Sequence, residues 1–292
     1  MRRRTATLVD MTLQPILCAV DGGPRARAAA SLAASAASLL DRPLTLLNAM
    51  PAAPPLMSLA TVRSAPRDYS ERHDAARRRS RALLETLASE VGSGSTELEV
   101  ASGLPAESIL ERAEDDAAAL IVIGTHNRGL LASAALGSVS TAVVGRAEQP
   151  VILVPQEVVP PWTQQASIVA ALDDTALAES SLEAAARIAR RAGLSLVAVH
   201  VHAGPAEAAR LRQLRGIAEL GGAEFVAREG DTATELLAVA RARRAAMIAV
   251  GTRGLGRVRT ALLGSTTRAL LESGTVPLLV VTERSAGAVD AL

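Results

Sequence analysis

The 292-residue sequence is 49% hydrophobic and carries 31 basic against 30 acidic side chains, a net charge of +1. That balance excludes a general electrostatic pull toward nucleic acid or a membrane surface, and the lone Tyr69, Trp162 and Phe225 exclude an aromatic platform for exposed bases. All the basic residues counted are arginines, so a P-loop, whose lysine holds the β- and γ-phosphates, is excluded along with Schiff-base catalysis by lysine.

Residues 1–12 open with Arg2, Arg3 and Arg4 but have no apolar segment behind them, so they read as a loose tail and not a signal peptide. Apolar runs stay well short of a membrane span. Short, β-branched apolar runs predict strands near 15–20, 44–49, 96–101, 119–123 and 151–154, with helices near 25–40, 71–90, 105–115 and 138–147. Cys18 lies alone within the first strand. It cannot form an internal disulfide, reads as a small core residue, and makes a reducing cytoplasm the simplest setting. Residues 51–66, rich in proline, form a long loop whose length suits either a lid or a disordered segment. The paired prolines and polar residues of 156–166 read as a linker. Beyond it, strands are predicted near 167–172, 194–201, 223–227, 246–250 and 278–281, and helices near 175–192, 205–220, 232–243 and 265–273. Residues 285–292 read as a second tail.

The second half repeats the first. Adding 127 to a residue number takes Gly103 to Gly230, Gly124 to Gly251, Gly137 to Gly264 and Pro150 to Pro277 without a gap. Nearer the start the offset is 152, which takes Asp21 to Asp173, so the second copy lacks some 25 residues between its second and third strands. A period of this size is a domain duplication. Alternating strands and helices in each copy predict a doubly wound parallel sheet of five strands, Rossmann-like, over residues 13–155 and again over 167–284. Ligands of such sheets bind beyond the carboxyl ends of the strands, where the strand order reverses.

Both copies place a glycine-rich loop there, between a strand and a helix, in the geometry that holds phosphate. The second loop is complete, with Gly251, Thr252, Gly254, Gly264, Ser265 and Thr266. The first keeps Gly124, Gly137 and Ser138 but has Asn127 at the position of Gly254. Gly251 and Gly254 would let the backbone approach a ligand in conformations closed to other residues. Gly264 would open the entrance of the last helix, where Ser265 and Thr266 offer hydroxyl and N–H groups to phosphate oxygens. Arg253, Arg257 and Arg259 lie near enough in sequence to screen phosphate charge.

A first strand ending in Val20-Asp21-Gly22, joined to Gly-x-x-Gly-(x)9-Gly-Ser, resembles the universal stress protein family across both copies. The resemblance implies a tandem member with the adenine nucleotide α-hydrolase-like fold and ATP as ligand, with AMP or ADP as alternatives and Mg2+ as a companion of the phosphates. It implies that Asp173 accepts a hydrogen bond at or near the adenine, that Val201 lines the base, and that Asp21 holds the matching place in the first copy. It also implies that the two copies pack about a pseudo-two-fold through 151–154 and 278–281, and it allows a homodimer of the tandem chain. Asn127 tolerates the left-handed turn but narrows the pocket, so weaker binding is expected in the first copy.

Plainer readings compete. An aspartate after a first strand is often a turn residue, and glycines between strand and helix are often only turns. His200 and His202 lack partners at ligand spacing and read as structural, while His126 falls inside the first loop. Arg77, Arg78 and Arg79, mixed with Glu71, Asp74 and Glu85, read as a solvated helix face. No Ser/His/Asp arrangement or G-x-S-x-G elbow can be assembled, and the Ser-Gly-Gly and His-x-Gly-His signatures of related nucleotide enzymes are missing. Two functions remain. One is a nucleotide-binding stress regulator with at most very slow hydrolysis, acting on an unidentified protein partner. The alternative is an interaction or dimerisation module on the same fold that binds no nucleotide.

Overall fold

The computed structural model describes residues 13–50, 66–92, 95–125, 136–155, 162, 163, 165–173, 175–204, 208–252 and 263–292. The N-terminal tail, residues 51–65 of the long loop, linker residues 156–161, and His126, Asn127, Arg253, Gly254, Arg257 and Arg259 lie outside these ranges.

The first half runs β1 (Ile16–Ala19), α1 (Ala26–Leu40), β2 (Leu44–Met50), α2 (Pro66–Val91), β3 (Thr96–Ser102), α3 (Pro105–Asp115), β4 (Leu120–Gly124), α4 (Ser138–Arg146) and β5 (Val151–Val154). The second half runs β6 (Ser167–Ala171), α5 (Ala176–Ala192), β7 (Ser195–His202), α6 (Ala208–Leu220), β8 (Glu224–Glu229), α7 (Thr232–Ala242), β9 (Ala245–Thr252), α8 (Ser265–Ser273) and β10 (Leu278–Thr282). Every predicted element is present. α2 begins at Pro66, before the expected 71, and α6 begins at Ala208, after the expected 205.

The strand order is β3-β2-β1-β4-β5-β10-β9-β6-β7-β8, so the two five-stranded sheets join into one of ten strands. Within each half all pairs are parallel, and the order reverses between β1 and β4 and again between β6 and β9. The halves meet through β5 and β10, the one antiparallel pair among the described strands, with Ile152 opposite Leu279. The offset of 127 makes those two residues equivalents, so the pseudo-two-fold expected from the resemblance passes between them.

Period-2 alternation sends β1 side chains to two cores. Ile16 and Cys18 join the face covered by α1, α2, α5 and α6, whereas Leu17 joins the face covered by α3, α4, α7 and α8. Helix α1 is almost all alanine on its buried side, which favours the helix and permits a close approach to α5, its equivalent in the other half. Duplication extends to backbone details. The αL residue closing α1 is Asp41 and that closing α5 is Gly193, and the positive φ of Ala117 recurs at Arg244.

Two segments read as loose are docked. Trp162 of the linker is buried against the α1 face. Residues 286–291 form a 3₁₀ helix that buries Val289 and Leu292 in the same core, while Arg42 donates to the carbonyls of Gln14 and Ala291. Short apolar residues at the chain end gain more from burial than they lose in freedom. Burial also pushes the Cys18 thiol far above its ordinary range, so almost no thiolate forms near neutrality. A disulfide reagent at pH 8 is therefore expected to find no reactive thiol in the native protein and one equivalent after unfolding in guanidinium. Rapid native labelling would contradict this packing.

Candidate functional site

At the reversal between β6 and β9 a cavity of about 550 Å³ opens beyond the strand ends, walled by the N-terminal turns of α5, α7 and α8. Asp173, Val201, Gly251, Thr252, Gly264, Ser265 and Thr266 all line it. The equivalent cavity of the first half, about 500 Å³, brings together Asp21, Gly124, Gly137 and Ser138. Gly254 and Asn127 lie outside the described residues. The second cavity also holds Thr175 and Thr232 and the first holds Arg25, none of them expected from the motif, while His200, read as structural, lines the second as well. The 152 register contained a signal for Arg25, because it pairs that residue with Leu177 and marks a change of chemistry beside the motif.

The strand-end aspartates make the same local turn in both halves. Asp21 Oδ1 accepts from the Gly23 amide at 2.8 Å, and Asp173 Oδ1 accepts from the Thr175 amide at 2.9 Å and its hydroxyl at 2.6 Å. The turn-residue reading is thus correct for one oxygen of each carboxylate. In the second half the turn also sets Thr175 to cap α5 by accepting from the Ala178 amide at 3.2 Å.

A buried polar brace fixes each strand end. Asn48 Nδ2 donates to the Val20 carbonyl at 2.6 Å, and its equivalent His200 places Nδ1 at 2.9 Å from the Leu172 carbonyl. A carbonyl can only accept, so Nδ1 of His200 carries the hydrogen. Among the described residues no His, Cys, Asp and Glu gather into a metal-binding group. His200 acts as a brace that also lines the cavity.

The motif glycines divide into two kinds, and this corrects the expectation that Gly251 approaches the ligand in a backbone conformation closed to other residues. None of Gly124, Gly137, Gly251 or Gly264 has a positive φ. A Cβ on Gly251 would lie 2.4 Å from the Leu177 carbonyl oxygen and 2.5 Å from its carbon, so this glycine lets β9 pass under the first turn of α5. Gly124 meets the Cβ of Arg25 at a milder 3.1 Å. Among the described residues a Cβ on Gly264 or Gly137 would meet nothing within 4 Å, and both residues line a cavity. The first kind is demanded by helix–strand packing. The second keeps space open at a helix entrance.

Helix capping separates the same elements. Thr175 and Asp231 cap α5 and α7 with their side chains, whereas Gly264 and Gly137 leave α8 and α4 with no side-chain cap. The hydroxyl and amide of Thr234 hold the Asp231 carboxyl below its ordinary range, so this cap is charged at neutral pH. Among the described residues no side chain takes the first N–H groups of α8 and α4, at the end where the helix dipole favours negative charge. Ser265, Thr266 and Ser138 add hydroxyls beside them.

The two cavities differ in their walls. The second is rich in hydroxyls, and Asp173 is its one charged residue among the described residues. The first is lined by Leu47, Ala49, Ile109 and Ile123, with Asp21 and Arg25 as charged neighbours.

A family model described as the universal stress protein family matches residues 12–155 and 205–282, and Asp173 and Val201 fall between the two matched segments. A universal stress protein of Mycobacterium tuberculosis is 29% identical over 294 residues, covering 91% of this chain and 96% of the relative. One from Thermus aquaticus is 33% identical over 139 residues, or 48% of this chain and 96% of the relative, about the length of a single repeat. The fold is similar to the crystal structure of a universal stress protein from Archaeoglobus fulgidus, with a TM-score of 0.70 and 20% identity over 94% of this chain and 98% of that one.

Proposed function

The chain belongs to the universal stress protein family, and from that premise we propose that it is a stress-response regulator that binds an adenine nucleotide, ATP first, in the cavity of its C-terminal half. One observation carries this reading. Among the described residues, Gly264 has open space where a Cβ would stand and its helix has no side-chain cap, on the cavity wall that also holds Ser265 and Thr266. An anion is the complement of that arrangement, since it satisfies the exposed N–H groups and meets the positive end of the dipole.

In this reading the phosphates lie at Gly264, Ser265 and Thr266, and Val201 lines the base. Asp173 offers Oδ2 as an acceptor, because Oδ1 serves the Thr175 turn. ATP supplies charge and a conformational signal when bound; the chain's residues bind and orient it. Hydrolysis is slow at most, because Asp173 is the one carboxylate lining the cavity among the described residues and is partly committed to its turn. Mg2+ needs several oxygen ligands and keeps waters readily, so with a single carboxylate nearby it would enter on the phosphates. We take residues 13–155 and 167–284 as the two domains, and a cytoplasmic setting suits the lone buried Cys18.

The dimerisation-module reading loses its natural surface. The edges of β5 and β10 are already paired within the chain, so a homodimer of the tandem would have to use other faces. Among the described residues no helix is long and apolar enough to cross a membrane. The test is thermal unfolding of the intact protein with and without ATP, joined to identification by mass of any nucleotide released on denaturation. ATP is expected to raise the melting temperature, and no change at millimolar ATP would remove the regulator reading.

A further inference from the structure

The N-terminal cavity has lost one motif glycine to Asn127, yet it carries a cation that the C-terminal cavity lacks among its described residues. Arg25 lines the first cavity, and the 152 register places Leu177 at the matching position of the second. Its backbone is held at the start of α1, and its Cβ lies 3.1 Å from where a Cβ on Gly124 would stand, beside the end of β4. Nε donates to the Pro155 carbonyl at 2.6 Å, just past the end of β5. That bond tethers the guanidinium near the end of β5.

Arginine has five N–H donors, and the Pro155 bond uses one. Nη1 and Nη2 make no hydrogen bond among the described residues. They form a planar fork of the kind that grips two phosphate oxygens at once. Arg25 lines a cavity whose wall also holds Ser138 at the start of α4, a helix with no side-chain cap among the described residues. Charge counts the same way. The described lining of the first cavity carries one acid and one base, whereas that of the second carries Asp173 alone, so the first is one unit more favourable to an anion.

We infer that Arg25 is the phosphate-binding residue of the N-terminal cavity, and that it makes this cavity a second, charge-selective nucleotide site. The inference rests on the nucleotide reading of the C-terminal cavity for the ligand class, and on Arg25 alone for the site. The N-terminal cavity then depends on phosphate charge more steeply than its partner does. It discriminates ATP from adenosine, which offers its apolar wall a base but gives the guanidinium no phosphate.

Calorimetric titration of the intact chain with ATP and with adenosine tests this. Wild type is expected to take two ATP per chain, the weaker at the N-terminal cavity. Arg25→Leu copies the residue found at the matching position and is expected to weaken that second event about ten- to a hundredfold, the usual effect of losing a hydrogen-bonded charge. The C-terminal event is expected to stay unchanged, which also shows that the variant is folded. Gly264→Asp should leave one ATP event that still requires Arg25, and adenosine should bind wild type and Arg25→Leu alike. Two ATP events untouched by Arg25→Leu, or a single event in wild type already lost in Gly264→Asp, would overturn the role of Arg25 while leaving the C-terminal site standing. No ATP event in any protein would overturn both.

Discussion

Gly251→Ala is expected to destabilise the protein by about 3 kcal/mol, the upper end of what overpacking ordinarily costs. The added methyl would sit 2.4 Å from the Leu177 carbonyl oxygen and 3.0 Å from the Ala178 amide nitrogen. These are backbone atoms of a capped helix whose inner face is buried across the sheet, so they cannot swing aside as a side-chain tip would. Either α5 lifts from β9 or the strand end shifts. Urea unfolding gives the answer directly: a midpoint fall with unchanged slope is expected, and a variant as stable as wild type would mean the helix is not so tightly seated.

Gly264→Asp is expected to behave in the opposite way, sparing the fold and removing the ligand. The position is already extended, with φ −59 and ψ 160, and among the described residues a Cβ there meets nothing within 4 Å. Aspartate is among the best N-cap residues, so ligand-free stability should hold or rise slightly. The new carboxylate would occupy the N–H groups of α8 and repel phosphate. At ATP a hundredfold above Kd, one site contributes about 2.7 kcal/mol of stabilisation, and that contribution should vanish at the C-terminal site. Measured as the ATP-dependent change in the urea midpoint, equal shifts in variant and wild type would show that the phosphates do not lie at Gly264.

The contrast between these two glycines shows how far the sequence could be read. Strand–helix alternation and the two offsets were enough to place every strand and α-helix, because apolar period and turn residues are local properties. The antiparallel β5–β10 seam was legible through the resemblance, and the structure adds that the two-fold passes between Ile152 and Leu279. The motif located the site but not the division of labour within it. Gly251 and Gly264 look alike on paper, yet one answers to the Leu177 carbonyl and the other to open space. That difference depends on where α5 crosses β9, which no local pattern encodes. Arg25 was passed over for the same reason, since its value comes from the Pro155 carbonyl 130 residues away. The C-terminal segment shows the reverse error. Short polar-flanked segments such as 285–292 look loose until a core is present to receive Val289 and Leu292.

The central claim is that the C-terminal cavity holds ATP at the entrance of α8. Equilibrium dialysis of the intact chain against labelled ATP, wild type beside Gly264→Asp, tests it most directly. Saturable retention by wild type is expected, with the tighter of its binding events lost in the variant while the variant remains folded. Wild type that retains no ATP at millimolar concentration, or a folded variant that retains as much as wild type, would contradict it.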